Sequence, residues 1–413
     1  MNEVVITGIG IISGFGIGKQ ILWNHLLAAD TAIRVTNDWS LPDITSQYFA
    51  KIPSFSVKDY VPMLKPPLPP RYVQMGLVAT ALAVKDAQLD LSQLDPNCIG
   101  MILSTDFGPN ETVENYLTDL FMKGPEAVSP IQFSRTVANV ALGDISRYFH
   151  FRGPSSLIIG ESSLCYAYDI LQEGRAEIMI CGGLDEVRDT IVWAYQQLGL
   201  LAKPMDQEIV TDSTNFLPYS SNAAGSVLGD ATAVIVLETR DHANRRNAPC
   251  YAQVRGYKTL CDRAFNHLVT ERTTEDLEAT MLSAIDTSNI PLGEVGFVIG
   301  CASSHPNIGN AELLACGNVW KDSKIYLTSI KGAVGETFAS SSILSVAIGA
   351  LSLSTGLIPP CGLIPKRNDI TDRTFDTTHI DLVLNRPQQV RTNSCLVNSI
   401  HIGGNNCSVV LTK

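Results

Sequence analysis

A chain of 413 residues, 45% hydrophobic and 17% charged, carries enough apolar side chains for more core than one minimal domain needs. Its formal net charge of −11 works against nonspecific attraction to phosphate backbones or anionic lipid, so neither nucleic acid nor membrane is expected as a partner. Ten cysteines are scattered without CxxC spacing, several inside apolar runs such as IMICGG and FVIGCAS. That is the pattern of buried free thiols rather than of a zinc site or disulfide framework, and no metal or cofactor is expected.

Along the chain, the opening MNEVVITGIGIISGFGIGK has no cationic segment ahead of its apolar run. Its glycines suit a buried strand and turn better than a signal peptide. No other stretch approaches the roughly 18 consecutive apolar residues of a membrane span, and a cytoplasmic location is expected. Strands are expected at 4–12, 100–104, 156–159, 178–183 and 231–238, with helices at 72–89 and 163–173, the latter closed by Gly174. A polar linker at 241–247 precedes a second cycle, with strands at 252–257, 295–299, 395–401 and 408–411 and helices at 275–286, 310–319 and 341–354. The alternation predicts an α/β architecture of two similar halves, 1–240 and 248–413. The loop 203–215 is expected to be a mobile surface segment.

Four local patterns follow one another in order. GPSSLIIGESSLCYAYDILQEGRAEIMICGGLDE (153–186) reads strand, tight turn, helix and a strand ending in a glycine pair. FLPYSSNAAGSVLGDATAVIVLE (216–238) is a polar loop entering a buried strand. TSIKGAVGETFASSS (328–342) holds Lys331 in a glycine-bounded loop before a helix, and NSIHIGGNNCSVVL (398–411) sets a glycine pair between two strands.

Together these patterns resemble the β-ketoacyl synthase family over nearly the whole chain. The resemblance implies the thiolase fold, with duplicated halves in a layered αβαβα arrangement. In that family a Cys on the strand-to-helix turn accepts the acyl chain, its thiolate favoured by the helix N-terminus. Two His assist decarboxylation and stabilise the developing negative charge. Matching the flanking GPS and glycine pair puts Ser162 at the Cys position. Cys301 falls at the first His, with His305 four residues beyond, and Glu336 falls at the second; Lys331 alone is retained. Glu336 would oppose negative charge unless it pairs with Lys331.

Within the family, the segment 123–156 and the GES at 160–162 resemble the chain-length factors, the ketosynthase β subunits of bacterial type II polyketide synthases. Such a subunit pairs with a catalytic ketosynthase in a heterodimer, completes its acyl tunnel and sets polyketide length, and an acyl carrier protein visits the complex. The resemblance implies a twofold interface through Leu157, Ile158 and Ile159. It implies a chain-length pocket at Asn110, Val113 and Leu117, one face of a helix, with Ile191 and Val192 beside it. Their modest size implies room for an octaketide-like product. At the family's Phe-bearing gate stand Ile400, His401 and Ile402. Two alternatives stay open: a Ser162-based acyltransferase or malonyl decarboxylase aided by Cys301 or His305, and a dead subunit of a pathway making polyenes or reduced chains.

Overall fold

The computed structural model describes residues 2–36, 39–41, 43–46, 48–202, 216–220, 225–263, 271–363, 378–401 and 403–413. The loop 203–215 lies outside the described residues. Eleven strands form one continuous path. They are β1 (Val4–Ser13), β2 (Ile99–Thr105), β3 (Ser155–Ile159), β4 (Ile178–Asp185), β5 (Ala231–Thr239), β6 (Ala252–Cys261), β7 (Val295–Ile299), β8 (Ile325–Thr328), β9 (Ile380–Leu382), β10 (Ser394–Ile400) and β11 (Asn405–Thr412). Their spatial order is β9-β8-β7-β10-β11-β6-β1-β5-β4-β2-β3.

The duplication is visible in the pairing. From β1 outward, β5 and β4 add antiparallel and β2 and β3 add parallel. From β6 outward, β11 and β10 add antiparallel and β7, β8 and β9 add parallel. The two runs join through a short antiparallel contact of β1 with β6. Parallel strands require crossovers, and these supply the longer helices: α1 (Lys19–Leu27), α2 (Arg71–Asp86), α3 (Asn110–Lys123), α4 (Val140–Phe149), α5 (Ser163–Gln172), α6 (Asp189–Gln197), α7 (Thr274–Ser288), α8 (Pro306–Val319) and α9 (Ala339–Thr355).

Small residues set how closely the layers approach. A Cβ on Gly8 or Gly10 of β1 would lie 2.3 Å from the Ala83 carbonyl oxygen or 1.9 Å from that of Ala79, so α2 rests almost backbone to backbone on the sheet. The central layer is α5 and α9. Fifteen of the seventeen residues of α9 are buried. Ser340 at its start donates to the carbonyls of Gly183 and Ala231, while Gly349 halfway along lies against Val397, Leu411 and Cys395. One helix therefore fills the space between both runs of strands.

The expected linker at 241–247 is instead largely a helical turn, Arg240–Arg245, capped by Thr239, whose hydroxyl accepts from the His242 amide. The polar composition serves a buried site. Glu238, fully inaccessible, accepts from Arg246 (2.9 Å from Nε), lies 2.5 Å from His242 Nδ1 and bonds the Thr7 hydroxyl. Burial alone would push its carboxyl up, but the hydrogen bonds from Arg246, His242 and Thr7 outweigh burial and hold it at about 2. A depressed carboxyl stabilises the fold above its ordinary value of 4.5, and that stability drains away as pH falls from there through about 2. Glu238→Gln is therefore expected to cost about 3 kcal/mol at neutral pH. Urea unfolding at several pH values should show the difference shrinking below pH 4.5.

Candidate functional site

The first element of the site is the turn between β3 and α5. Gly160 takes φ +70°, a conformation open to glycine, and reverses the chain. Its carbonyl accepts from Asn405 Nδ2 at 2.7 Å and its amide hydrogen bonds Asp106. Ser162 follows as the N-cap residue of α5 but makes no capping bond. Its hydroxyl is buried, at 1% exposure for the residue, and has no hydrogen-bond partner. The N-terminus of a ten-residue helix thus faces a Ser that no base touches.

Glu312 builds the second element. Fully buried on α8, its carboxylate accepts from the Cys301 amide (3.0 Å to either oxygen), the Ala302 amide (3.0 Å), the Tyr219 hydroxyl (2.7 Å) and Asn398 Nδ2 (2.9 Å). This fan of donors fixes the loop after β7 and seats Cys301 in the interior. Burial, then the Glu312 charge, pushes the Cys301 thiol well above its usual range, so it stays protonated. His305 is the N-cap residue of α8, where Nδ1 accepts from the Asn307 amide at 3.4 Å. A structural cap explains its place in the sequence, and it is not bonded to Ser162.

Lys331 and Glu336 form the third element. Lys331 begins a single helical turn, Lys331–Val334, and its ammonium, 3% exposed, meets Glu336 Oε2 at 2.7 Å. The other oxygen, Oε1, accepts from Ser341 Oγ (3.0 Å) and the Phe338 amide (3.1 Å). To make that bond Phe338 adopts φ +56° and ψ −128°, a strained conformation for a side chain with a Cβ. Its ring is wedged edge-on between Phe107 (4.8 Å, 85°) and Tyr195 (5.5 Å, 75°).

Two further residues face this centre, and neither stood out in sequence for the role it plays. Asp106, at the end of β2, is pushed up to about 8, first by burial, then by the charges of Asp185 and Glu336. Asp185 beside it accepts from the Thr105 hydroxyl and the amides of Asp106, Phe107 and Ala339, whereas Asp106 Oδ1 has no partner. The proton of this acidic pair therefore resides on Asp106. His401 is 2% exposed, and neither ring nitrogen has a hydrogen-bond partner; burial, then Lys331 and Arg272, push it down to about 3 and keep it neutral. Its backbone is tied, the amide to the Asn405 carbonyl (2.9 Å) and the carbonyl to Arg272 (2.8 Å).

The remaining expected residues divide. Ile400 ends β10, and Ile402 lies outside the described residues. Asn110, Val113 and Leu117 lie on α3, none of whose residues is buried; the Asn110 amide nitrogen is enclosed without a partner and Leu117 is 41% exposed. Ile191 and Val192, by contrast, are 5% and 2% exposed in a closed cluster with Tyr195, Phe49, Leu228 and Phe338. Leu157, Ile158 and Ile159 lie on β3, the last strand of the sheet, with Ile159 at 65% exposure.

Chemically, the centre holds one internally neutralised ion pair, a protonated carboxyl, a neutral imidazole and two protonated nucleophile candidates. Among the described residues no thiolate or imidazole is placed to activate an acyl group. A carboxyl raised in the fold opposes folding progressively as pH climbs from its ordinary 3.8 to about 8, because the unfolded chain releases the proton first. Asp106→Asn is accordingly expected to raise the melting temperature, most strongly at and above pH 8 and least near pH 4, in scans across that range.

Comparison with known proteins agrees with this anatomy at the level of the family. The chain matches the β-ketoacyl synthase N-terminal domain over residues 1–243 and the C-terminal domain over 251–363. The 3-oxoacyl-acyl-carrier-protein synthase 2 of Rhizobium meliloti is 24% identical, covering 100% of this chain and 99% of the relative. That of Staphylococcus aureus is 25% identical over 100% and 98%. Among solved structures, "The ishigamide ketosynthase/chain length factor" superposes with a TM-score of 0.88 at 22% identity, over 100% of this chain and 99% of that one. A type II polyketide synthase acyl-carrier protein in complex with its ketosynthase gives 0.85 at 20%, over 100% and 99%. Layered sheets, duplicated halves and matched domains together establish that this chain belongs to the β-ketoacyl synthase family and has its thiolase fold.

Proposed function

We propose that this chain is a non-condensing partner of an active ketosynthase, closing that enzyme's acyl tunnel and limiting polyketide length while an acyl carrier protein serves the pair. The observation that carries the reading is the Lys331–Glu336 ion pair. The family's second His position holds a carboxylate that consumes the charge of the one retained catalytic residue. Negative charge developing on an enolate or a tetrahedral oxygen would find Lys331 already neutralised there. Ser162 and Cys301 complete the loss, since the first lacks a base and the second a thiolate. The alternative of a Ser162-based acyltransferase requires a base within hydrogen-bond reach of Oγ, and the absence of any partner counts against it.

The exposed surface supports a paired subunit. β3 presents an open hydrogen-bonding edge, which folded proteins normally cover. Residues 111–139 contain no buried side chain and hold Phe121 and Met122 at 79% exposure, Ile131 at 74% and Phe133 at 58%. Exposed aromatic and aliphatic side chains at this density mark an interface. In this reading the partner ketosynthase covers them. Chain-length control then rests on α3, with Asn110, Val113 and Leu117 meeting the product at that interface, and an octaketide-like length follows from their modest bulk. The ketosynthase/chain length factor among the similar structures lends this reading a parallel of the same fold.

Expressed with a catalytic ketosynthase and malonyl-carrier protein, the chain is expected to form a 1:1 complex that makes polyketide, while neither it nor Ser162→Ala gains an acyl adduct by intact mass. A self-sufficient homodimer acylated at Ser162 would overturn the reading. Ile159→Lys, placed on the open edge, is expected to abolish the complex on size-exclusion chromatography with light scattering while the melting temperature of the chain alone stays unchanged.

A further inference from the structure

The helix that carries the length-limiting residues of the proposed function has no fully buried side chain, Val113, Tyr116 and Leu120 being half-buried, so apolar packing alone holds it loosely. Its hydrogen bonds and ion pairs to the body converge on the start of α6. In the first turn of α3 the Glu111 amide donates to Glu186 Oε2 at 3.4 Å, and the Glu111 carboxylate lies 3.6 Å from Arg188 Nη1. One turn on, Glu114 Oε1 accepts from both the amide (3.4 Å) and the hydroxyl of Thr190, while Oε2 lies 3.7 Å from Arg188 Nε.

Thr190 is the second residue of α6, a helix whose N-cap position is Arg188 and which has no side-chain cap of its own. Glu114 thus supplies from another helix what a Ser or Asp usually supplies locally: an oxygen for an unsatisfied N-terminal amide and a negative charge for the helix dipole. The helix it grips is well anchored. Ile191, Val192 and Tyr195 pack with Phe338 in a closed cluster. On another side, Asp189 accepts from the amides of Ser40 and Leu41, and Gln196 from those of Thr45 and Ser46.

We infer that Glu114 is a positioning residue that hangs α3 on the fixed end of α6 and thereby sets how far Val113 and Leu117 reach into the product's path. Val113 precedes Glu114 directly and Leu117 lies three residues on, so any roll or slide of α3 about this tie moves both. The part of this inference that concerns product length rests on the proposed function; the tie itself does not.

Two measurements keep the two apart. Hydrogen–deuterium exchange of the intact chain reads the tie: Glu114→Ala is expected to speed exchange of the amides of 110–123 by roughly tenfold, the loss of a charge-assisted hydrogen bond. Glu114→Gln, which keeps an acceptor for Thr190, is expected to recover part of the protection. Exchange at the wild-type rate in Glu114→Ala would overturn the inference. Product analysis of the pair with its ketosynthase reads the consequence, with Val113→Phe and Leu117→Phe alongside. Shorter products from the Phe variants and a broadened length distribution from Glu114→Ala, at unchanged 1:1 assembly, are expected. Shorter products from the Phe variants with an unchanged distribution from Glu114→Ala would sink the positioning role. Unchanged products from all three would sink the chain-length reading, leaving the tie to stand or fall on exchange.

Discussion

A buried ammonium needs a counter-charge, and much of this site follows from that requirement. Lys331 is nearly inaccessible, and leaving it unpaired would cost several kcal/mol. Glu336 satisfies it, and the consequences spread outward. The second oxygen of Glu336 draws the Phe338 amide into a strained turn, and the Phe338 ring closes against Phe107 and Tyr195. The charge of Glu336 adds to that of Asp185 in keeping Asp106 protonated, while Lys331 and Arg272 keep His401 neutral. The charges of this centre are balanced within the protein itself.

Much of this framework could be read from residue order. Apolar β-branched runs located most of the main strands to within a residue or two, because strands buried on both faces are mainly apolar; β6 runs on to Cys261 and β11 starts at Asn405, outside the expected ranges, and β8 and β9 were not expected. Ser162, Cys301 and Glu336 could be singled out in sequence because glycines and prolines with conformational duties flank them. The condition attached to Glu336 in sequence, that it pair with Lys331, is met in the structure.

What sequence did not reveal depends on contacts between distant segments. Asp106 looks like any acidic turn residue until the fold brings Asp185 and Glu336 to it. Glu312 gives no local sign that two amides, a tyrosine and an asparagine converge on it. Residues 241–247 looked like a linker because helix-forming polar residues resemble loop residues when their buried partner, Glu238, belongs to the preceding strand. Ile191 and Val192 were read as pocket residues, and the structure packs them with Phe338 and Tyr195 instead; the aromatic cluster that encloses them is assembled from four separate stretches of chain.

The central position of α9 bears on how such a molecule is made. This helix is encoded after residue 338, yet its first turn fits against Gly183 and Ala231, which lie in strands made much earlier in the chain. During synthesis the first set of strands therefore emerges with its inner apolar face covered only in part, by α5, and α9 completes the cover. Folding of the early half must wait for the late half, or be sheltered by a chaperone in the interval. A truncation before α9 would leave not a smaller stable domain but a sheet whose inner face α5 covers only in part, with the remainder open to aggregation.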